Sequence, residues 1–330
     1  MAGSRAPIGI LYEHPEWFAP LFAELDRRGL PYTPIVAHAH AFDPAERAIA
    51  YGLVVNRVSP SSYLRGHRRA IFFAHQYLAH LEQLGVPIVN GTRAYGFELS
   101  KARQLDLLAA LGLPHPASRV ANDPAELLAA ARALNPPVIV KPNVGGSGAL
   151  MRRFDRFDEL ASAADAGELD GLFDIDGTAI VQEYHPPRDG SIVRVEGLDN
   201  RFLYAIRIWN DPAAGFNLCP ADICQTDSLD FCPVDSSGGS KPGRRIEAES
   251  PPAQVVDAVL RVFRAAEMDV GGVEYLESER DGRRYFYDIN ALSNFVTDAP
   301  RLVGFDPFVR FVDYLERRLA ATASELPAVA

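Results

Sequence analysis

The stretch that most constrains this chain is PVIVKPNVGGSGAL, from Pro137 to Leu150. The β-branched run Val138, Ile139, Val140 predicts a short buried strand, and the strand delivers Lys141 at its end. Pro142 stops regular pairing because it has no N–H to donate. Asn143, Gly145, Gly146, Ser147 and Gly148 then form a turn almost without side chains, and glycines let backbone amides approach an anion closely. An ammonium beside such a turn is a point charge suited to phosphate. The order is not that of a P-loop, whose lysine follows its glycines. A second apolar strand over Ala149 to Phe154 would complete a β-hairpin able to close over phosphates. An ordinary glycine hairpin with a surface lysine has the same local sequence, so the rest of the chain must decide.

At 330 residues the chain exceeds one usual hydrophobic core, and two or three domains are expected. Its 33 Lys and Arg against 43 Asp and Glu give a net charge of −10. That balance disfavours nonspecific nucleic-acid binding but not a nucleotide that arrives with a divalent cation. The N-terminal apolar run stops at His14, Pro15 and Glu16, which does not read as a secretory signal. No run of about 18 apolar residues is present, so no membrane partner is expected. The three cysteines, Cys219, Cys224 and Cys232, form an odd set that argues for free thiols and a cytoplasmic setting. Their spacing matches no standard zinc pattern.

Strand patterns at Ile8–Tyr12, Tyr32–Val36, Gly52–Val58 and Val86–Val89 alternate with helical ones at Pro15–Arg28 and Arg68–Leu84. Such alternation implies a parallel sheet with helical crossovers, a Rossmann-like domain over 1–97. It carries no G-x-G-x-x-G after its first strand and so is not read as a dinucleotide site. Asn56 and Arg57 fall at a strand end, where sheets of this kind place ligands. A substrate contact and a surface salt bridge are both open for Arg57.

A helix over Glu98–Leu111 opens a second unit, 98–178, with Lys101 near its N-terminus, and the lysine hairpin follows. A third unit, 179–330, starts with the strand Ala179–Tyr184, which runs into His185-Pro186-Pro187. An adenine edge could use the backbone exposed there. Arg194 and Arg207 lie inside the apolar strands Ile192–Glu196 and Phe202–Trp209, where a guanidinium is costly unless an anion pairs with it. The stretch 210–243 is aperiodic and reads as a long loop that orders over substrate. Val270–Leu276 and Arg284–Ile289 read as an antiparallel pair turning at Asp281-Gly282. Glu274 lies on the first strand, while Asp288 and Asn290 share a face at the end of the second. Three oxygen-bearing side chains on adjacent strands suit a hard cation. Asn294 lies just beyond.

In order, the chain carries SKARQ, VIVKPNVGGSG, VQEYH, RVE, YAIRI, GGVEYLE and YDINALSN. This series resembles the ATP-grasp superfamily over essentially the whole length. Within it the look is nearest to carboxylate–amine ligases of the ribosomal-protein glutamate ligase type. The resemblance implies an α/β fold, with a Rossmann-like domain followed by two ATP-grasp lobes built on antiparallel sheets. It implies that Lys101 and Lys141 bind ATP phosphates and that the loop Gly145, Gly146, Ser147, Gly148 closes over them. Gln182, Glu183, Tyr184 and His185 would receive adenine, and Asp189 would meet the ribose. Arg207 would stabilise the transferred phosphoryl group or the acyl phosphate and, with Lys141, is the catalytic candidate, while Glu274, Asp288 and Asn290 would hold Mg²⁺ or Mn²⁺. Asn56, Arg57, Arg194 and Asn294 are the substrate candidates. Many members carry Asp where Glu274 stands and Glu where Asp288 stands, a swap that keeps both charges. The implied activity joins a small-molecule carboxylate to an amine, such as an amino acid or peptide, through an acyl phosphate. A homo-oligomer is compatible with it. A kinase stopping at phosphoryl transfer and a regulatory nucleotide-binding protein are the alternatives.

Overall fold

The first strand, β1 (Ile8–Tyr12), is buried along its whole length, as its unbroken apolar run predicts for a strand covered on both faces. In the computed structural model, residues 6–146, 148–209 and 245–325 are described, the last three by their backbone alone. Ser147, the expected loop 210–243 and Cys219, Cys224 and Cys232 lie outside the described residues.

After β1 come α1 (Ala19–Arg28), β2 (Tyr32–Val36), β3 (Leu53–Arg57), α2 (Arg68–Gln83), β4 (Ile88–Val89) and α3 (Thr92–Glu98). The four strands form a parallel sheet in the order β2-β1-β3-β4. The middle lobe holds α4 (Lys101–Ala110), β5 (Ser118–Ala121), α5 (Leu127–Arg132), β6 (Val138–Pro142), β7 (Arg152–Phe154), α6 (Phe157–Asp165) and β8 (Ala179–Glu183). Its antiparallel sheet runs β5-β8-β6-β7. The last lobe is β9 (Ser191–Leu198), β10 (Arg201–Trp209), β11 (Arg245–Ala248), α7 (Ala253–Ala266), β12 (Val270–Glu277), β13 (Arg284–Asn290), α8 (Ala299–Val303) and α9 (Pro307–Glu325). Its antiparallel sheet is ordered β11-β10-β9-β12-β13.

The structure departs from the sequence expectation at several joints. The helix expected from Glu98 starts only at Lys101, because Glu98 ends α3 and Ser100 caps α4 by accepting a hydrogen bond from Arg103 N at 3.2 Å. The second hairpin strand starts only at Arg152, since Leu150 takes a positive φ and prolongs the turn. Strand 179–183 pairs with β5 and β6 and so belongs to the middle sheet.

Apolar faces assemble three packed layers. Helix α2 covers one face of the parallel sheet. Helices α1 and α9 cover the other, so the end of the chain returns to its first domain, where Arg28 binds Asp313 at 2.7 Å and Glu316 at 2.6 Å. Helix α7 lays Val255, Val259, Val262 and Phe263 under the large antiparallel sheet. Among the described residues no helix is long and apolar enough to cross a membrane.

Asn90, at φ 55°, clasps two lobes. Its Nδ2 donates to Val270 O at 2.7 Å and to Ala291 O, and its Oδ1 accepts from Asp269 N at 2.7 Å. Replacing it with Ala strands several buried backbone groups, so Asn90→Ala is expected to cost about 2–4 kcal/mol in chemical denaturation. A loss below about 0.5 kcal/mol would show that the clasp carries little of the stability.

Candidate active site

A cleft of about 240 Å³ opens between the lobes and is lined by strands of the two antiparallel sheets together with Trp17, Ser59, Pro60 and Ser61 of the first domain. Its floor is the large antiparallel sheet. Strand β9 alternates Ile192, Arg194 and Glu196 toward the cleft with Val193 and Val195 toward α7. The registers then place Arg194 opposite Glu274, and Glu274 opposite Asp288. Arg194 donates to Glu196 Oε1 at 2.6 Å and to Glu274 Oε1 at 3.2 Å. Tyr287 OH donates to Glu274 Oε2 at 2.9 Å. Lys101 Nζ reaches Asp288 Oδ1 at 2.5 Å, and Asn290 Nδ2 donates to Asp288 Oδ2 at 3.2 Å. A Cβ at Gly272 would stand 2.8 Å from Arg194 Nε and 2.9 Å from Glu196 Oε1, so any side chain there would displace this ion pair.

The roof comes from the middle lobe. Lys141 is 7% exposed, and its Nζ donates to Gln182 Oε1 at 2.9 Å. Gln182 in turn donates to Ser118 Oγ at 3.0 Å. The glycine turn lies against the first domain, where a Cβ on Gly146 would sit 3.0 Å from Ser61 Cβ. Gly145, Gly146 and Gly148 all line the cleft.

Charge is crowded here. Glu98, Glu196, Glu274 and Asp288 face Lys101, Lys141 and Arg194. Burial pushes Glu98 up to about 7, against a stabilising hydrogen bond from Leu292 N. Burial and then the Asp288 charge push Glu274 up to about 7. Burial alone would raise Asp288, but Lys101 outweighs it and holds that carboxyl below its ordinary value. Burial and then the Lys101 charge push the Lys141 ammonium down to about 7. Glu196 Oε2 and Asn294 Oδ1 are buried with no hydrogen-bond partner among the described residues. Mg²⁺ fits this set. Hard oxygens converge from facing strands, two carboxyls resist ionising without more positive charge, and two buried oxygens lack donors. The paired lysines suit nucleotide phosphates.

The structure gathers Lys101, Lys141, Gly145, Gly146, Gly148, Gln182, Glu183, Tyr184, His185, Arg194, Glu274, Asp288, Asn290 and Asn294 along this cleft. The backbone expected to be open at 182–185 is partly taken. Glu183 N donates to Ala117 O at 2.9 Å and Tyr184 N to Pro137 O at 2.8 Å. Glu183 also holds Asn135 through its carboxylate, and His185 stacks on Tyr285 with centroids 4.1 Å apart.

Four expected site residues stand elsewhere. Arg207 projects from the opposite face of β10, alternating with the cleft residue Ile206, and binds Glu249 at 2.6 Å and Ser191 Oγ at 2.9 Å. Asp189 is exposed in a turn at φ 57° and does not line the cleft. Asn56 is buried and bonds Asn90 O and Val58 N, which makes it part of the strand end. Arg57 is fully buried between the rings of Phe18 and Phe311 at 4.9 and 5.5 Å and donates to Ser293 O, supporting the loop that carries Asn294. Arg207→Gln is accordingly expected to leave turnover within about threefold of wild type. A loss of a hundredfold or more in steady-state assays, with the fold retained, would return Arg207 to the reacting centre.

Sequence reasoning missed Glu98 and Glu196. For Glu196 a signal existed, since it stands two residues after Arg194 on the same strand and therefore on the same face. Glu98 gave none, because its burial depends on the loop at Leu292 folding over it.

No family model matches the chain. D-alanine–D-alanine ligases of Laribacter hongkongensis (strain HLHK9) and Haemophilus influenzae (strain PittEE) are 28% and 29% identical to it over 205 and 187 residues. Those stretches are 59% and 54% of this chain and 60% and 57% of the ligases, so the chain spans less than two thirds of either relative. Among solved structures it superposes on the ATP-grasp ligase PsnB complexed with a phosphomimetic variant of minimal precursor, Mg and ADP. The TM-score is 0.66 at 20% identity, with 96% of this chain and 100% of that one covered. A RimK domain ATP-grasp protein from Sphaerobacter thermophilus DSM 20745 gives a TM-score of 0.66 at 17% identity, covering 94% and 99%. D-alanine–D-alanine ligase from Bacillus anthracis complexed with ATP gives 0.64 at 17%, covering 98% and 100%.

Proposed function

We propose, from the premise that this chain has the ATP-grasp fold, that it is an ATP-dependent ligase joining a carboxylate to an amine. The observation that carries the reading is the convergence of Lys101, Lys141, Glu274, Asp288 and Asn290 on one cleft beneath a glycine turn. A carboxylate does not condense with an amine in water, because hydroxide is a poor leaving group. In the proposed reaction the γ-phosphoryl group passes to the carboxylate, giving an acyl phosphate and ADP. The amine attacks the acyl carbon and phosphate leaves, carrying one former carboxylate oxygen. An ammonium substrate gives up two protons overall, one to phosphate and one to solvent.

This chemistry asks for positioning and charge neutralisation rather than a protein nucleophile. Lys141 and Lys101 would face the phosphates. Glu274, Asp288 and Asn290 would hold Mg²⁺, which supplies charge neutralisation at the transferring group. Among the described residues, the guanidinium facing the cleft is that of Arg194, held by Glu196 and Glu274. The apolar lining from Ile192, Ile206, Leu276 and Val296 limits water, which would otherwise hydrolyse the acyl phosphate.

The test is ADP and phosphate release over a panel of acid and amine pairs with Mg²⁺, followed by mass spectrometry of product. With the productive acid labelled with ¹⁸O in its carboxylate, the label is expected in the released phosphate. ADP formed with a stable phosphorylated acid and no amide would make the chain a kinase. Nucleotide binding without ADP release across the panel would make it a binding protein.

A further inference from the structure

Away from the cleft, three metal-ligating side chains converge that the ligase reading does not use. Glu13 follows β1, His38 lies in the 3-10 turn Ala37–Ala39 after β2, and His67 immediately precedes α2. One ligand atom from each lies within 4.8 Å of the other two. They come from well-separated segments, so no spacing motif marks them. The carboxyl edge of a parallel sheet brings them together, which is where such sheets build ligand sites.

The cluster is built rather than incidental. The Glu13 side chain is 1% exposed and is locked by Arg65, whose Nη2 lies 2.5 Å from Oε2 and whose Nε lies 3.1 Å from both oxygens. A fixed partner orienting a ligating carboxylate is a regular feature of metal sites. His67 Nδ1 bonds Glu13 Oε1, and the His38 and His67 rings stack with centroids 3.7 Å apart. The imidazoles remain reachable. His67 is 34% exposed, His38 is exposed, and both border a surface cavity shared with Arg68 and Arg69.

We propose that Glu13, His38 and His67 form a site for a borderline transition-metal dication, Zn²⁺ being the representative. Two imidazoles and one carboxylate match zinc chemistry and leave a fourth position open. Mg²⁺ prefers oxygen alone, so this site and the Glu274, Asp288, Asn290 set select different ions. The Arg65 charge beside Glu13 opposes a dication and keeps the affinity moderate. Arg65 also lies over the Trp17 ring at 4.6 Å, and its Nη1 reaches Ser61 Oγ at 3.4 Å. Trp17 and Ser61 line the cleft, so ion binding at Glu13 is linked to the cleft mouth through one side chain.

The test is calorimetric titration of the full, metal-stripped chain with Zn²⁺ in excess Mg²⁺. One zinc per chain is expected, with a change in tryptophan fluorescence that Trp17→Phe abolishes while Trp209 remains. His38→Ala, at an exposed position, and His67→Ala are each expected to weaken binding at least tenfold, with folding checked by circular dichroism and His38→Gln as a second variant. Asp288→Asn and a Cys219, Cys224, Cys232 triple serine variant are expected to bind zinc as wild type does. Zinc affinity unchanged in both histidine variants would overturn the proposal. So would its loss in the cysteine variant, or no binding by the wild type at sub-millimolar zinc.

Discussion

Asp288→Asn is expected to lower ATP-dependent turnover by about a thousandfold or more, close to 4 kcal/mol of barrier, while the chain stays folded. Asp288 is the point where the cleft's charges meet. It pairs with Lys101, stands in register with Glu274 and accepts from Asn290. The isosteric amide keeps the shape but removes the charge that would hold a cation and set Lys101. Stability changes little because two effects oppose. Lys101 loses its partner, whereas Glu274, pushed up in part by Asp288, loses a like-charged neighbour. Asp288 is held low in the fold, so its contribution is present at neutral pH and is lost as pH falls through its folded value. The stability difference between variant and wild type should therefore shrink in acid. Paired thermal melts and ADP-release rates check this. Normal turnover in a folded variant would remove Asp288 from the reacting centre.

Lys141→Met should separate binding from stability in opposite directions. ATP affinity is expected to fall about 10–100-fold, the worth of a buried charge-assisted contact. Stability is expected to rise. Lys141 is buried, and among the described residues its hydrogen-bond partner is Gln182; burial with the Lys101 charge pushes its ammonium down to about 7. A lysine lowered on folding is protonated in the unfolded chain below its ordinary value near 10.4, so folding then works against a bound proton. The penalty is absent above that value, grows as pH falls toward 7, and is constant below it. Lys141→Met should therefore gain most in melting temperature near neutrality and little at pH 10. The same lysine recharges when phosphates approach, so ATP binding near pH 8 should take up a proton from buffer. Calorimetry in buffers of different ionisation enthalpy reads that uptake, and the Met variant should lack it. An equal stability gain at pH 7 and pH 10 would show that the ammonium carries no burial penalty.

Much of this architecture is written locally. The β-branched run before Lys141, the glycine turn, the alternation of strands and helices and the acidic pair ending β13 are all neighbour-range signals. They place strands, breaks and charges at definite points, and their order along the chain carries the resemblance to ATP-grasp proteins. The two interior arginines are different. Arg194 and Arg207 sit in equally apolar strands, and the large sheet is covered on both faces, so alternation along each strand does not say which face meets the cleft. The pairing registers decide it, setting Arg194 over Glu274 and turning Arg207 toward Glu249. Arg57 is a similar case. A strand end in a parallel sheet is ordinarily open to ligand, but α9 returns from the far end of the chain and buries this one between Phe18 and Phe311. Local sequence thus determined which residues carry charge, where strands stop and where the backbone turns. Tertiary structure alone decided which of those charges share one cleft, because facing and burial depend on partners distant in the chain.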